Sequence, residues 1–163
     1  ESDMIFLEGY LWDEGEPQKA FNKAIKYSKK VAMTLSDKFC VDRHRVNFLE
    51  LVRNKLDITF ANEQEMISLI EAKNFEDVIT FAKQIKKLMV ITRGEKGAIA
   101  IFGEETIEVG VKKNLNIIDL TGAGDLFAAG FLHGYINGLP IKDSLEKGSE
   151  LSSKIIQKIG ARL

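Results

Sequence analysis

The chain has 163 residues, of which 45% are hydrophobic, and it carries 23 basic and 24 acidic residues. This length can bury one sizeable core, so we expect a single domain. A net charge of −1 offers no positive excess for DNA, RNA or an anionic membrane surface, so neither a nucleic-acid nor a membrane partner is expected. No apolar run reaches the roughly 20 residues of a transmembrane helix. The lone Cys40 cannot form an internal disulfide, and a cytoplasmic location is expected.

Short apolar runs alternate with amphipathic stretches along the first part of the chain. The run at 4–7 is typical of a buried strand, and Pro17 opens a helical pattern. Further strands are predicted at 31–35, 58–60 and 88–92, with helices between them. This alternation predicts an α/β fold with a mostly parallel sheet, helices on its faces and a ligand site at the carboxyl ends of the strands.

The second part of the chain begins with a predicted hairpin. Its strands at 98–102 and 106–111 are separated by a short turn that contains Gly103, which predicts an antiparallel pair at one edge of the sheet. A strand at 117–119 and a glycine-rich turn are then expected to lead into a helix with aromatic residues at positions 127, 131 and 135. Pro140 is predicted to start the last helix.

The strongest functional signal is the segment DLTGAGDLF at residues 119–127. The small residues Gly122, Ala123 and Gly124 let the backbone approach an anion, and the N–H groups and dipole of a helix's first turn favour negative charge. A phosphoryl group in transfer is such an anion, and the carboxylate of Asp125 could accept a proton from the attacking hydroxyl. A plain glycine-rich turn, with Asp125 serving only the helix dipole, remains the alternative.

The same segment resembles the second signature of the PfkB kinases, a ribokinase-like family that acts on carbohydrates and nucleosides. The resemblance rests on Gly122-Ala123-Gly124-Asp125, followed by Phe127 and by the run AAGF at 128–131. It implies a three-layer α/β/α fold, with Asp125 as catalytic base and the amides of Gly122, Ala123 and Gly124 as anion hole. Leu120 departs from the family, which usually has Thr, Ser, Val or Pro there.

A second element, Thr92-x-Gly94-x-x-Gly97, resembles the family's nucleotide-binding turn, which together with the glycine-rich loop flanks ATP. Two glycines and a hydroxyl at the end of a strand suit a close approach to a nucleotide. A tight turn into the hairpin is the alternative.

The third element, Asn62-x-x-Glu65, resembles the N-x-x-E motif, whose Glu organises hydrated Mg²⁺ and whose Asn lies near the phosphates. The same two residues predict a capping box ahead of an apolar helix face. Both interpretations can hold together, because a Mg²⁺ site often takes only one or two carboxylates.

Two weaker resemblances concern the acceptor and a monovalent cation. Phe39, in the loop at 36–39, resembles an aromatic of adenosine-kinase-like members that can stack on the acceptor's base, although an aromatic at such a junction is more often part of the core. Asp119, with Gly160 and Ala161, resembles the region where many ribokinase-like enzymes hold a monovalent cation such as K⁺.

The resemblance covers residues 1–163 as the C-terminal, ATP-binding and catalytic part of a PfkB-type kinase domain, without the N-terminal half and the lid. It implies ATP-dependent phosphorylation of a hydroxymethyl group of a sugar or nucleoside. Adenosine-like and fructose-like acceptors are both compatible with the resemblance, and residues 36–45 favour the adenosine-kinase-like branch. A homodimer is also compatible with it, because in this family the lid often makes the dimer contact. The alternative is a nucleotide-binding or assembly fragment without independent catalysis, since a chain of this length alone would lack much of the acceptor pocket.

Overall fold

A computed structural model describes residues 2–12 and 15–163. Strands and helices alternate through its first part, as predicted, and short 3-10 turns occur at Gly9–Leu11 and Gly94–Lys96. Within the described ranges the strands and helices are, in order, β1 (Ile5–Glu8), α1 (Glu16–Tyr27), β2 (Val31–Thr34), α2 (Lys38–Asn54), β3 (Ile58–Asn62), α3 (Glu63–Ile70), α4 (Phe75–Ile85), β4 (Leu88–Thr92), β5 (Ala98–Phe102), β6 (Glu105–Val109), α5 (Ala123–Ile136) and α6 (Ile141–Ile155).

The strands form one sheet in the order β1-β2-β3-β4-β5-β6. β1 and β2 run parallel with Ile5 opposite Val31, and β2 and β3 run parallel with Ala32 opposite Ile58. β5 and β6 are neighbours in the sheet and only two residues separate them, a connection that antiparallel strands allow and parallel strands do not. The sheet is therefore mixed, and the predicted hairpin at its edge is confirmed.

The chain divides into two compact units, of which the first runs to residue 90 and includes 101–105. Its core follows from the sequence pattern, because β2 and β3 read as nearly continuous apolar runs that are buried on both faces. Aromatic edge-to-face contacts extend this core, since Trp12 packs against the ring of Phe21 with 5.1 Å between centroids. The fully buried side chains of this unit include Met33, Leu35, Phe48, Leu56, Ile58, Met66 and Leu69.

The second unit comprises residues 91–100 and 106–163, and its helices α5 and α6 pack with their backbones in close approach. A Cβ on Gly130 would lie 2.6 Å from the carbonyl oxygen of Lys147, and one on Gly148 would lie 2.7 Å from that of Phe127. Carbon atoms are not found at such distances from oxygen atoms without strain. The glycines therefore set the spacing of the two helices, and this spacing fixes the helix that begins at Ala123.

The predicted strand at 117–119 is wrong. The described chain has no strand there; instead the amides of Ile118 and Asp119 both donate to the carbonyl oxygen of Ile156, at 2.8 and 3.2 Å. The β-branched pair Ile117-Ile118 has the composition of a strand, but its backbone bonds to the end of α6 rather than to another strand.

In the ranges that the structure describes, no helix has the length and apolar character needed to cross a membrane.

Gly130→Ala is expected to lower the free energy of unfolding by about 1–3 kcal/mol, because its Cβ forces α5 and α6 apart. Urea denaturation followed by circular dichroism measures this change. Gly124→Ala is the matched control: it is the same substitution in the same helix, and nothing lies within 4 Å of the added Cβ, so stability should be unchanged or up to about 1 kcal/mol higher. Equal effects of the two substitutions would show that the close helix contact does not govern stability.

Candidate active site

The turn before α5 is tightly packed on one side. Gly122, the N-cap of α5, has a φ of +76°, a conformation that favours glycine. A Cβ at this position would also lie only 2.8 Å from the Cβ of Ala161. Both the backbone conformation and the close neighbour therefore require glycine at position 122.

The other side of this turn leaves backbone N–H groups available. No side chain caps α5, and in the described residues the amides of Gly122, Gly124 and Asp125 donate no hydrogen bond. The amide of Ala123 is already used, because it donates to the carbonyl oxygen of Leu120 at 3.1 Å. Position 124 faces open space and the Asp125 side chain is exposed. Accessible N–H groups at a helix N-terminus, with one carboxylate in the same turn, suit an anion and a proton acceptor side by side.

Asp119 anchors the turn to the C-terminal segment. Its Oδ1 accepts hydrogen bonds from the amide and the hydroxyl of Thr121, at 2.9 and 2.7 Å, and its Oδ2 accepts one from the amide of Gly160 at 2.9 Å. These hydrogen bonds hold the pKa of the Asp119 carboxyl below its usual range, and the bond from the Gly160 amide has the largest effect. The structure thus brings Asp119, Gly160 and Ala161 to the glycine-rich turn, while their role toward a cation stays a prediction.

The two glycines of the turn after β4 have different surroundings. Gly97 has a φ of +91°, and its Cβ would lie 2.0 Å from the carbonyl oxygen of Val109 in β6, so the hairpin itself accounts for this glycine. Gly94 has a φ of +57° with nothing within 4 Å of a Cβ. The turn that starts at Thr92 therefore leaves an open surface at Gly94, where a ligand could approach the backbone.

Asn62 and Glu65 form a complete capping box at the start of α3, which confirms that interpretation. Asn62 Oδ1 accepts from the Glu65 amide at 2.8 Å, and Glu65 Oε2 accepts from the Asn62 amide at 3.0 Å. In addition, Asn62 Nδ2 donates to Glu65 Oε1 at 2.5 Å. These bonds fix the carboxylate at the carboxyl end of β3.

Glu65 is an unusual helix cap because it is only 4% exposed. Burial raises its pKa to about 7; the hydrogen bond from the Asn62 amide opposes this, and the negative charge of Asp37 adds to it. In the part of the chain that the structure describes, no basic side chain forms an ion pair with Glu65, and no cluster of three acidic, His or Cys side chains is placed to hold a metal ion. A buried carboxylate without a cationic partner is suited to a cation that keeps most of its water.

Phe39 lies in the first turn of α2 and is 78% exposed, so the alternative that it belongs to the core is wrong. It lines a cavity of about 60 Å³ together with Tyr10, Asp37 and other residues of the first unit. The Tyr10 hydroxyl donates to Asp37 Oδ2 at 2.8 Å. Sequence reasoning missed this pair, whose only signal was an Asp placed to cap a helix.

Glu65→Gln tests the buried carboxylate through the pH dependence of stability. Because folding raises the pKa of Glu65, its contribution to stability is complete below the unfolded value of about 4.5 and is lost as pH rises through about 7. Gln at the same position can still close the capping box. At pH 8 the variant should therefore be more stable than the natural chain, by up to about 3 kcal/mol, with no such gain at pH 5. Urea denaturation in EDTA at both pH values decides this, and parallel pH profiles would contradict it.

Comparison with known proteins gives a consistent result. The model of the pfkB family of carbohydrate kinases matches residues 1–163. The cytidine kinase of Thermococcus kodakarensis is 34% identical over 71% of this chain and 42% of its own length, and the adenosine kinase of Schizophyllum commune is 34% identical over 96% and 51%. The crystal structure of adenosine kinase from Sinorhizobium meliloti superimposes with a TM-score of 0.94 at 38% identity, over 99% of this chain and 51% of that one.

The chain spans about half the length of these relatives. The predicted ribokinase-like α/β fold is confirmed by the match to the solved adenosine kinase. Since the family model covers the chain from end to end, the chain belongs to the pfkB family of carbohydrate kinases.

Proposed function

We propose that the protein carrying this chain transfers the γ-phosphoryl group of ATP to a hydroxymethyl group of a sugar or a nucleoside. The observation that supports this most is the turn before α5, where unbonded amides and the exposed carboxylate of Asp125 share one helical turn. Phosphoryl transfer needs these two groups together, an anion hole and a proton acceptor.

In the proposed reaction Asp125 accepts the proton of the acceptor hydroxyl as its oxygen forms a bond to the γ-phosphorus. The bond between that phosphorus and the β–γ bridging oxygen breaks, and the electron pair leaves with ADP. The backbone N–H groups of the Gly122–Gly124 turn stabilise the charge on the transferred group. The amide of Asp125 joins them, since it donates no other hydrogen bond in the described chain, whereas that of Ala123 is partly committed to Leu120.

The metal and the nucleotide are assigned to separate parts of the chain. Glu65, held by Asn62, would order the water around a Mg²⁺ ion, which would supply neutralisation of phosphate charge. The fit is supported by a buried carboxylate that has no basic partner among the described residues. Thr92 and the open backbone at Gly94 contact the nucleotide, while Gly97 shapes the turn.

The acceptor and a monovalent cation complete the proposal. Phe39 stacks on the acceptor, because a planar ring can cover an aromatic side chain that is otherwise left in water. Asp119 is a suitable ligand for K⁺, since its pKa is lowered and, among the described residues, its Oδ2 accepts a single hydrogen bond. Gly160 and Ala161 supply neighbouring backbone.

Asp125→Asn in the natural protein should lower kcat for the acceptor by about 10²–10⁴-fold, the usual contribution of a general base, and leave ADP affinity unchanged. Coupled ADP-release kinetics and calorimetry measure the two effects. Asp143→Asn is the matched control, because Asp143 is exposed in the first turn of α6, and it should leave kcat unchanged. Undiminished turnover by Asp125→Asn would remove this residue as the base. Nucleotide binding without acceptor-dependent ADP release by the natural protein would instead favour the non-catalytic binding module.

Gly94→Ala and Gly97→Ala separate nucleotide contact from turn structure. At Gly97 the new Cβ collides with Val109 in β6, so we expect a loss of stability of at least about 2 kcal/mol. At Gly94 the added methyl group meets nothing, so the protein should stay folded at a cost of about 1 kcal/mol for the left-handed backbone. The KM for ATP should nevertheless rise several-fold in Gly94→Ala. An unchanged KM would show that ATP does not contact this backbone.

A further inference from the structure

Two neighbouring strand ends are joined beside the cavity at Phe39. After β1 the amide of Tyr10 donates to Ser36 Oγ at 3.1 Å, and its hydroxyl donates to Asp37 Oδ2 at 2.8 Å. Gly9 comes so close that a Cβ would lie 2.9 Å from the carbonyl oxygen of Leu35. Ser36 has a φ of +73°, which is uncommon for a residue other than glycine. Such a conformation persists where the surroundings hold it, and Tyr10 supplies one of the contacts.

Asp37 connects this junction to α2. Its Oδ1 accepts the amide of Cys40 at 2.6 Å as the cap of the helix, while its Oδ2 accepts the Tyr10 hydroxyl. The hydrogen bond to Asp37 is also the main reason that the pKa of Tyr10 is raised to about 12, so the hydroxyl is a donor at neutral pH. One carboxylate thus holds both the end of β1 and the start of the helix.

A kink divides the start of α2 from the rest of this helix. His44 has non-helical dihedral angles, φ −115° and ψ 20°, so residues 38–43 form a short segment on their own side of a kink. Near the far end of the segment, Asp42 accepts a hydrogen bond from the hydroxyl of Ser68 in α3. Asp42 also forms an ion pair with Lys38 at 2.6 Å, within the segment. Side-chain hydrogen bonds therefore hold the segment at each end, in addition to the burial of Cys40 and Val41.

Phe39 projects from this segment into water. It is 78% exposed, the second most exposed of the large apolar side chains in the described ranges after Ile159 at 86%. A ring on a held segment starts from a fixed backbone position, whereas a ring on a loose helix end would also lose backbone entropy on stacking.

We propose that Tyr10 and Asp37 are positioning residues that hold the 38–43 segment and thereby orient Phe39 for an acceptor with a planar ring. This inference rests on the proposed function and deepens it: the Tyr10–Asp37 pair determines the preference for a nucleoside, whose base can stack, over a sugar, which has no planar face. The pair acts through Phe39 and does not take part in phosphoryl transfer.

Tyr10→Phe tests the proposal, because it removes only the hydroxyl group. In the natural protein the KM for adenosine should rise about 3- to 10-fold, the effect of one lost hydrogen bond. The kcat, the KM for ATP and the KM for fructose should stay the same. Tyr27→Phe is the matched control, since Tyr27 is an exposed tyrosine at the end of α1, and it should change none of these constants. A fall in kcat with both acceptors, or an unchanged KM for adenosine, would overturn the proposal.

A second measurement does not depend on turnover. Hydrogen exchange followed by mass spectrometry should show faster exchange over 38–43 in Tyr10→Phe than in Tyr27→Phe, with no difference over 48–54. Equal exchange over 38–43 would overturn the positioning role whatever the enzyme does. If the natural protein phosphorylates neither acceptor, the proposed function has failed. Calorimetric binding of adenosine then decides the inference, which requires weaker binding by Tyr10→Phe and is overturned by equal binding.

Discussion

The turn before α5 must be closely packed on one side and open on the other, and the proposed chemistry depends on this combination. Ala161 leaves no room for a side chain at Gly122, and Asp119 ties the turn to Gly160 through its carboxylate. With the backbone held in this way, the first-turn amides keep their positions without any side-chain cap. Donors that are oriented before the anion arrives need no reorganisation during the reaction, which is where electrostatic stabilisation is most effective.

The close packing of α5 against α6 also constrains the position of the turn. Because Gly130 and Gly148 allow backbone contact, the helix that carries Asp125 in its first turn is located by rigid packing rather than by flexible side chains. Closely packed interiors transmit small displacements, so a substitution at either glycine should be felt at the helix N-terminus. In the first unit, the hydrogen bonds of Tyr10 and Asp37 are proposed to add to packing, because Cys40 and Val41 of the 38–43 segment are already buried.

For Glu65, stability and the proposed function make opposite demands. Burial of its carboxylate is unfavourable at neutral pH, and the capping box with Asn62 offsets only part of this. Sites that bind cations often keep such groups, because a nearby positive charge stabilises the ionised form that burial disfavours. The helix cap is compatible with the proposed role of Glu65 toward a metal, since in the described residues Asn62 donates one hydrogen bond to each oxygen of Glu65.

Local signals in the sequence were sufficient for much of the fold. The strand and helix alternation, the hairpin and the capping box at Asn62 depend on neighbouring residues, and each was predicted correctly. The strand at 117–119 was not, because the partner of Ile118 is the distant Ile156. The close approach of Gly97 to Val109 and the exposure of Phe39 also arise from tertiary packing, which no short sequence pattern contains. For the candidate site, the sequence indicated the residue types. The hydrogen bond from the Ala123 amide to Leu120 and the bond between Tyr10 and Asp37 are visible only in the structure.

The most direct test is ADP release by the natural protein that carries this chain, with ATP, Mg²⁺ and a panel of pentoses, hexoses and nucleosides. Release that depends on at least one of these acceptors is the result expected of a kinase with the proposed site. ADP release that no acceptor increases, from a protein that is folded and binds nucleotide, would contradict phosphoryl transfer to a sugar or nucleoside.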